Sequence, residues 1–200
     1  MTNAEYLTLE HGAQAQGYAV VCGADEAGAG PLAGPVYAAA VILPDDFDLP
    51  WLKDSKKVTP KRREVLFDQI KEQAVAWAVA SVGEREIDEI NILNARMKAM
   101  DLAIHQLDPA PDFALIDGNR NKGITIPNRM VVHGDSLSAS ISAASILAKV
   151  GRDRYMLEMA ERYPEYHFEQ HKGYGTKLHY EMLHKYGPCP IHRLTFLKKL

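Results

Sequence analysis

The chain has little that would mark a secreted or membrane-spanning protein. Its two cysteines, Cys22 and Cys189, form no Cys-x-x-Cys pair, which leaves no disulfide framework and no cysteine-rich zinc site to read. No apolar run approaches the length of a membrane span. The first residues, Met1-Thr-Asn-Ala-Glu-Tyr, lack the basic and apolar regions of a signal peptide. There is no internal repeat and no low-complexity stretch. The expected setting is therefore the reducing cytoplasm, away from any membrane.

Charge is also scarce where it would be ordinary. Between Gly12 and Pro44 the only formal charges are the adjacent pair Asp25 and Glu26. They follow Tyr18-Ala-Val-Val-Cys22, which reads as a buried strand, and precede a turn of small residues, Ala27-Gly-Ala-Gly-Pro31. Burying carboxylates without compensation is heavily penalised. A cation, a basic partner or a metal ion is the usual remedy. The pattern recurs twice. Phe113-Ala-Leu-Ile116 runs into Asp117, and Met130-Val-Val132 leads through His133-Gly134 into Asp135. Asp135 is the only formal charge between Arg129 and Lys149.

Each acid alone has an ordinary explanation. Asp-Glu is most often a solvated turn. Asp117-Gly118-Asn119 is composed of turn formers, and Asp135-Ser136 suits a helix start. Together, at the ends of three apolar runs, they point to one shared site, since sheet ends are where α/β folds place their functional crevices. Four gathered carboxylates repel one another unless a hard divalent cation sits among them, which suits Mg2+ or Mn2+.

Net charge is −3, no signature of a polyanion binder, but its distribution is uneven. From Glu161 onward the chain sums to +3 and carries five of the eight histidines. A second basic cluster comprises Lys53, Lys56, Lys57, Lys61, Arg62 and Arg63. Either is readable as a solvated helix face, and either could steer a polyanion.

Two hundred residues make one sizeable domain with a small appendage. Strands are expected over 17–26, 34–43, 76–82, 113–116 and 130–132. Thr59-Pro60 reads as a capped helix start. From Glu84, apolar residues at three- and four-residue steps through Ile104 predict one long helix. Another opens at Ile141-Ser-Ala-Ala-Ser145, where small side chains allow close approach to a sheet. A last helix is expected from Gly175 to Tyr186. Helices alternating with the later strands give an α/β layer, and short links between the first three strands make part of the sheet antiparallel.

The chain resembles the ribonuclease HII (type 2 ribonuclease H) family from about Gly17 to its end. The residues that carry the resemblance are Ala24-Asp-Glu-Ala-Gly-Ala-Gly-Pro-Leu-Ala-Gly-Pro-Val36, Asp54-Ser-Lys-Lys57 with Arg62-Arg63, Asp117-Gly-Asn119, Gly134-Asp135 with Ile141 to Lys149 and Arg152-Asp153, and His171-Lys-Gly-Tyr-Gly-Thr176. Five motifs in order are specific; one alone would be weak.

The resemblance implies a ribonuclease H-like α/β fold. Its mixed five-stranded sheet is flanked by helices in a catalytic domain over residues 1–162, with a C-terminal helical module over 163–200. It implies a monomer that cleaves RNA in RNA–DNA hybrids and at ribonucleotides embedded in duplex DNA, in replication and repair, leaving 3′-hydroxyl and 5′-phosphate ends. Asp25, Glu26, Asp117 and Asp135 fall on its catalytic, metal-binding carboxylates, a two-metal Mg2+ or Mn2+ site. Gly28, Ala29, Gly30, Ser55, Lys56 and Tyr174 fall on its substrate-binding positions.

Two positions depart from the family pattern. Ala29 stands where an arginine is usual, and Leu137 where lysine or arginine is frequent. Both changes remove positive charge beside the expected substrate path. The alternative readings are a fold-retaining nucleic-acid binder that cleaves weakly because Ala29 replaces that arginine, and a different metal-dependent phosphotransferase on the same fold.

Overall fold

The computed structural model describes residues 3–52 and 58–198. Its centre is a five-stranded sheet of β1 (Val21–Ala27), β2 (Val36–Ile42), β3 (Ala76–Val82), β4 (Phe113–Asp117) and β5 (Asn128–Val131), in the order β3-β2-β1-β4-β5. β1 pairs antiparallel with β2, and β2 with β3, while β4 lies parallel to both β1 and β5. The mixed sheet expected from the link lengths is therefore the observed one.

The helices are α1 (Asn3–Tyr6), α2 (Thr8–Gln14), α3 (Pro60–Gln73), α4 (Glu84–Ile90), α5 (Ile92–His105), α6 (Gly134–Leu137), α7 (Ala139–Arg162), α8 (Phe168–His171) and α9 (Lys177–Tyr186). Thr59 caps α3 by accepting from the Arg62 amide, with Pro60 in the first turn. Thr176 caps α9 in the same way through the His179 amide.

Strand alternation sorts the sheet's side chains into two cores. Ala39 and Val41 of β2 pack with α3 and with Ala143, Ala144 and Leu147 of α7. Cys22 and Ala24 of β1, Ala38 and Ala40 of β2, and Ala114 and Ile116 of β4 pack with Met97, Met100 and Ile104 of α5 on the other face. α7 approaches so closely that a Cβ on Gly23 would lie 2.3 Å from the Ile141 amide nitrogen. The small residues of α7 thus let its first turns rest directly on β1. After α7, Tyr166, Phe168, Leu183 and Ile191 close a third core over Leu32, Ala33 and Met156.

Some features differ from expectation, among them the start of β1, at Val21 rather than Gly17. The long helix predicted from Glu84 is broken at Asn91, which has φ +64°. Its side chain accepts from the amides of Leu93 and Asn94 and so starts α5 afresh. Asparagine tolerates positive φ better than most residues, so it can end one helix and cap the next. The fifth strand begins at Asn128, two residues before the expected start, and Val132 lies outside it. Among the described residues no helix is long and apolar enough to cross a membrane.

Candidate active site

Asp25 lies near the end of β1, and Asp117 ends β4. The two strands run parallel with Ala24 beside Ile116, so the next pair in register is Asp25 and Asp117. Both continue the alternation of Gly23 and Leu115, toward the α7 face. Beyond β5 the chain turns at His133, with φ +56°, and enters α6 through Gly134 and Asp135. The Gly134 amide donates to Asp117 Oδ1 at 2.7 Å, which ties the end of β4 to the turn carrying Asp135.

Glu26, one residue further along β1, points to the opposite face. There Arg96 of α5 meets it, with Nε 3.1 Å from Oε1. The contact is ionic rather than a well-formed hydrogen bond, and Glu26 Oε2 is buried without a hydrogen-bond partner. Asp25 is buried, with its Oδ1 accepting from the Glu26 amide at 2.7 Å. Burial, followed by the charges of Asp117 and Glu26 and then Asp135, holds the Asp25 carboxyl well above the usual carboxylate range. Burial also raises Glu26, with Arg96 opposing and Asp117 adding to the rise.

Thus the four acids predicted from sequence converge on one end of the sheet and act on one another electrostatically. Among the described residues, however, no three carboxylate, imidazole or thiol groups are drawn together closely enough to surround an ion as they stand. The physical reason is visible in the partners. Strand alternation and Arg96 hold Glu26 to one side, while the Gly134 amide holds Asp117. The donor set still fits a hard cation: buried oxygen ligands, a carboxyl strained toward its neutral form, and an orphaned Glu26 oxygen.

Asp25, Glu26 and Asp135 line a cleft of about 290 Å³ whose other walls include Gly28 and Tyr174. Arg63 and Lys149 also line it, although Lys149 is already paired with Asp153 at 2.6 Å. Tyr174 is exposed, with its ring beside Gly30: a Cβ there would lie 4.0 Å from Tyr174 Cε1. Gly28 is buried, Ala29 half-buried and Gly30 exposed. Ser55 and Lys56 lie outside the described residues. Leu137 is exposed on α6, two residues past Asp135.

Several residues have supporting roles that the sequence does not show, although Arg152 itself lies in one of its motifs. Arg152 and Arg193 are almost wholly buried, and backbone carbonyls are their hydrogen-bond acceptors. Arg152 donates to Ala33, Pro35 and Lys172. Arg193 donates to Gly28, Ala29 and Gly34. Gly28 has φ +87°, and a Cβ there would lie 2.0 Å from Arg152 Nε, so only glycine fits. Arg152 also sits under the Tyr174 ring, 5.8 Å from its centroid. On the other side of the cleft, the Tyr6 hydroxyl donates to the Asp135 carbonyl at 2.9 Å. Glu10 accepts from the Ser138 hydroxyl and the Ser140 amide, fixing the α6–α7 junction.

The family model described as Ribonuclease HII matches residues 22–199. The chain belongs to the ribonuclease HII family. It is 51% identical over 195 residues to the ribonuclease HII of Caldicellulosiruptor bescii, covering 98% of this chain and 95% of that one. It is 57% identical over 182 residues to the ribonuclease HII of Endomicrobium trichonymphae, covering 90% and 87%. Among solved structures, the ribonuclease H2 of Pyrococcus horikoshii OT3 superposes with a TM-score of 0.73 at 28% identity, covering 88% of this chain and 93% of that one. As a ribonuclease HII family member the chain is a ribonuclease H, a hydrolase acting on RNA–DNA hybrids.

Proposed function

We propose that this ribonuclease H is a divalent-metal-dependent endonuclease. It cuts RNA in RNA–DNA hybrids and at single ribonucleotides embedded in duplex DNA, leaving 3′-hydroxyl and 5′-phosphate ends. The observation that carries the reading is Asp25. It is a buried carboxyl at a strand end, destabilised by three neighbouring acids and facing a cleft. Such an arrangement is unfavourable in isolation and favourable around a bound cation.

Asp25, Glu26, Asp117 and Asp135 would hold Mg2+ or Mn2+. Bound there, a metal pair supplies an activated water and a stabilised leaving oxygen for in-line displacement at phosphorus. The chain's own residues do the remaining work. Arg193 fixes the carbonyls of Gly28 and Ala29 from the interior, so the loop offers the substrate an oriented backbone with no bulky side chain. A sugar edge can then approach closely, as reading a 2′-hydroxyl requires. Tyr174, seated over Arg152 and beside Gly30, offers a ring face and a hydroxyl to the nucleotide next to the cut. Arg63 and Lys149 place positive charge on the cleft wall for the phosphate path.

The deciding experiment uses an end-labelled duplex carrying one ribonucleotide, incubated with the protein and Mg2+, Mn2+ or a chelator. Cleavage only with metal, giving a nick that a DNA polymerase extends without prior phosphatase treatment, supports the reading. A duplex that is bound but left intact favours the second reading, a fold-retaining binder. The observation favouring that one is the uncharged Ala29, next to Gly28 of the cleft wall.

A further inference from the structure

Three histidines of the C-terminal region, His171, His179 and His192, are buried. The shortest of their hydrogen bonds select one protonation pattern. His192 Nδ1 lies 3.2 Å from the Cys189 carbonyl but only 2.9 Å from the Cys189 amide, which donates to it; the shorter contact makes that nitrogen an acceptor and puts the ring proton on Nε2. His192 Nε2 lies 3.0 Å from His179 Nε2, and one of the two must donate. Since His192 carries its proton there, His179 Nε2 accepts and its own proton sits on Nδ1. That nitrogen is 2.9 Å from the Tyr174 carbonyl, to which it donates. The chain of donors therefore runs one way: Cys189 amide, His192, His179, Tyr174 carbonyl.

His171 completes the support from the other side of the same residue. The Gly173 amide donates to its Nδ1 at 3.2 Å, and its Nε2 lies 2.9 Å from the Tyr166 carbonyl. Its ring stacks on His179 with centroids 4.4 Å apart. Phe168 packs edge-on against His171 and His179. The titratable and charged groups around the cluster are His167, Glu169 and Lys172 beside His171, and Tyr166 and Cys189 beside His192. Protonating either ring of the His179–His192 pair would set N–H against N–H in a desolvated pocket, and burial accordingly holds both rings near a pKa of about 4.

We propose that His179 is a positioning residue for Tyr174, and that the one-way chain of neutral imidazoles from His192 holds the Tyr174 ring where it meets the nucleotide beside the cut. This rests on the reading of Tyr174 as a nucleotide contact. Neither histidine touches the cleft; both act through the Tyr174 backbone.

The test is a double-mutant cycle on the full chain, with the single-ribonucleotide duplex and Mg2+ at pH 7.5. His179→Phe keeps a ring in the pocket and removes the donor. It should lower kcat/KM about tenfold, what one buried hydrogen bond contributes, mostly through KM. His179→Asn, whose amide N–H can stand where Nδ1–H stood, should recover most of that loss. In a Tyr174→Ala background His179→Phe should cost nothing further. Equal losses in both backgrounds overturn the proposal, because a general loss of structure would not depend on Tyr174. If Tyr174→Ala is impaired but folded His179→Phe is not, this inference alone falls. If Tyr174→Ala cleaves normally, the reading of Tyr174 falls with it. An arm needing no variant is nitrogen-15 NMR of the wild-type imidazoles. His192 and His171 should appear as Nε2–H and His179 as Nδ1–H tautomers, with neither His179 nor His192 titrating from pH 8 to 5.5. A different tautomer at His179, or ordinary titration of the pair, overturns the proposal.

Discussion

Arg193 Nη1 donates to the Ala29 carbonyl at 2.9 Å, so a residue seven from the C-terminus holds the loop that borders the carboxylate cleft. Its other two nitrogens reach Gly28 and Gly34. Burial and the nearby Arg152 lower the Arg193 pKa to about 10, which leaves it charged at neutral pH. Lysine has one nitrogen and cannot bond all three carbonyls as a guanidinium fork does. Arg193→Lys should therefore lower stability by about 1–3 kcal/mol, the cost of a buried polar group left unpaired. Urea unfolding measures this, and a midpoint equal to wild type would show that the three bonds are dispensable.

Asp25→Asn should abolish metal-dependent cleavage while raising the unfolding temperature of the metal-free protein at pH 7.5. Sites built for charge binding are destabilised before the charge arrives. The sign follows from the raised carboxyl of Asp25. A group whose folded pKa lies above its unfolded one favours the folded state at low pH, and that contribution is lost as pH rises through the folded value. The loss sets in as soon as pH exceeds the unfolded value, so at pH 7.5 the wild type carries it, whereas asparagine has nothing to lose. Adding Mg2+ should stabilise the wild type and leave the variant unmoved. Thermal unfolding with chelator and with Mg2+ checks both statements.

The acids were legible in the sequence because charge is so scarce around them: a carboxylate that ends an uncharged apolar run stands out. β3, over Ala76–Val82, was legible for the same reason, as an apolar run with clear ends. The split between Asp25 and Glu26 follows from strand alternation, but that Arg96 meets Glu26 depends on where α5 lands. The break at Asn91 carried no glycine or proline to announce it. The roles of Arg152 and Arg193 were hidden because their partners are backbone carbonyls, which leave no side-chain pattern. Tyr6 and Glu10 were hidden because they act across nearly the whole sequence, on Asp135, Ser138 and Ser140.

Gly23 is the contact point between sheet and helix, two residues before Asp25. A methyl group there would meet the Ile141 amide at 2.3 Å and the Ser140 side chain at 2.7 Å. Backbone cannot step aside as a flexible side chain can. Gly23→Ala should cost about 1–3 kcal/mol or more through overpacking, and should reduce cleavage as well by displacing Asp25. Denaturant unfolding and kcat on the hybrid substrate provide the two readings; normal values for both would mean that α7 is free to shift.

Acid should weaken the fold through His179 and His192. Both are buried and neutral, with pKa values lowered to about 4 from an unfolded value of 6.5. Between those values the unfolded chain binds more protons than the folded one. Stability from these groups is therefore complete above pH 6.5 and is lost as pH falls from there toward 4. Below about 4 they add no further slope. A variant carrying His179→Asn and His192→Phe should show a flatter dependence of unfolding free energy on pH across this window. A slope unchanged from wild type would mean that other groups govern acid unfolding.

Ala29→Arg tests whether the uncharged loop limits activity. Ala29 is half-buried, and its φ lies outside the left-handed region, so an arginine requires no backbone strain. Its carbonyl is already held by Arg193, which fixes the point from which a new side chain would extend. If that side chain reaches a substrate phosphate, the hydrogen bond to a charged group is worth about 1.5–3 kcal/mol, and about 1.4 kcal/mol is tenfold. Cleavage at low substrate concentration should then rise about tenfold or somewhat more. Its salt dependence should also steepen, because each added phosphate contact releases counterion. The opposing case is that Arg63 and Lys149 on the cleft wall already serve the phosphates. An added guanidinium would then find no vacant phosphate and would crowd the loop against Tyr174. Cleavage rates measured against salt concentration for the chain and for Ala29→Arg separate the two. A higher rate with a steeper slope identifies a missing contact. An unchanged rate and slope mean that the cleft's own basic residues suffice.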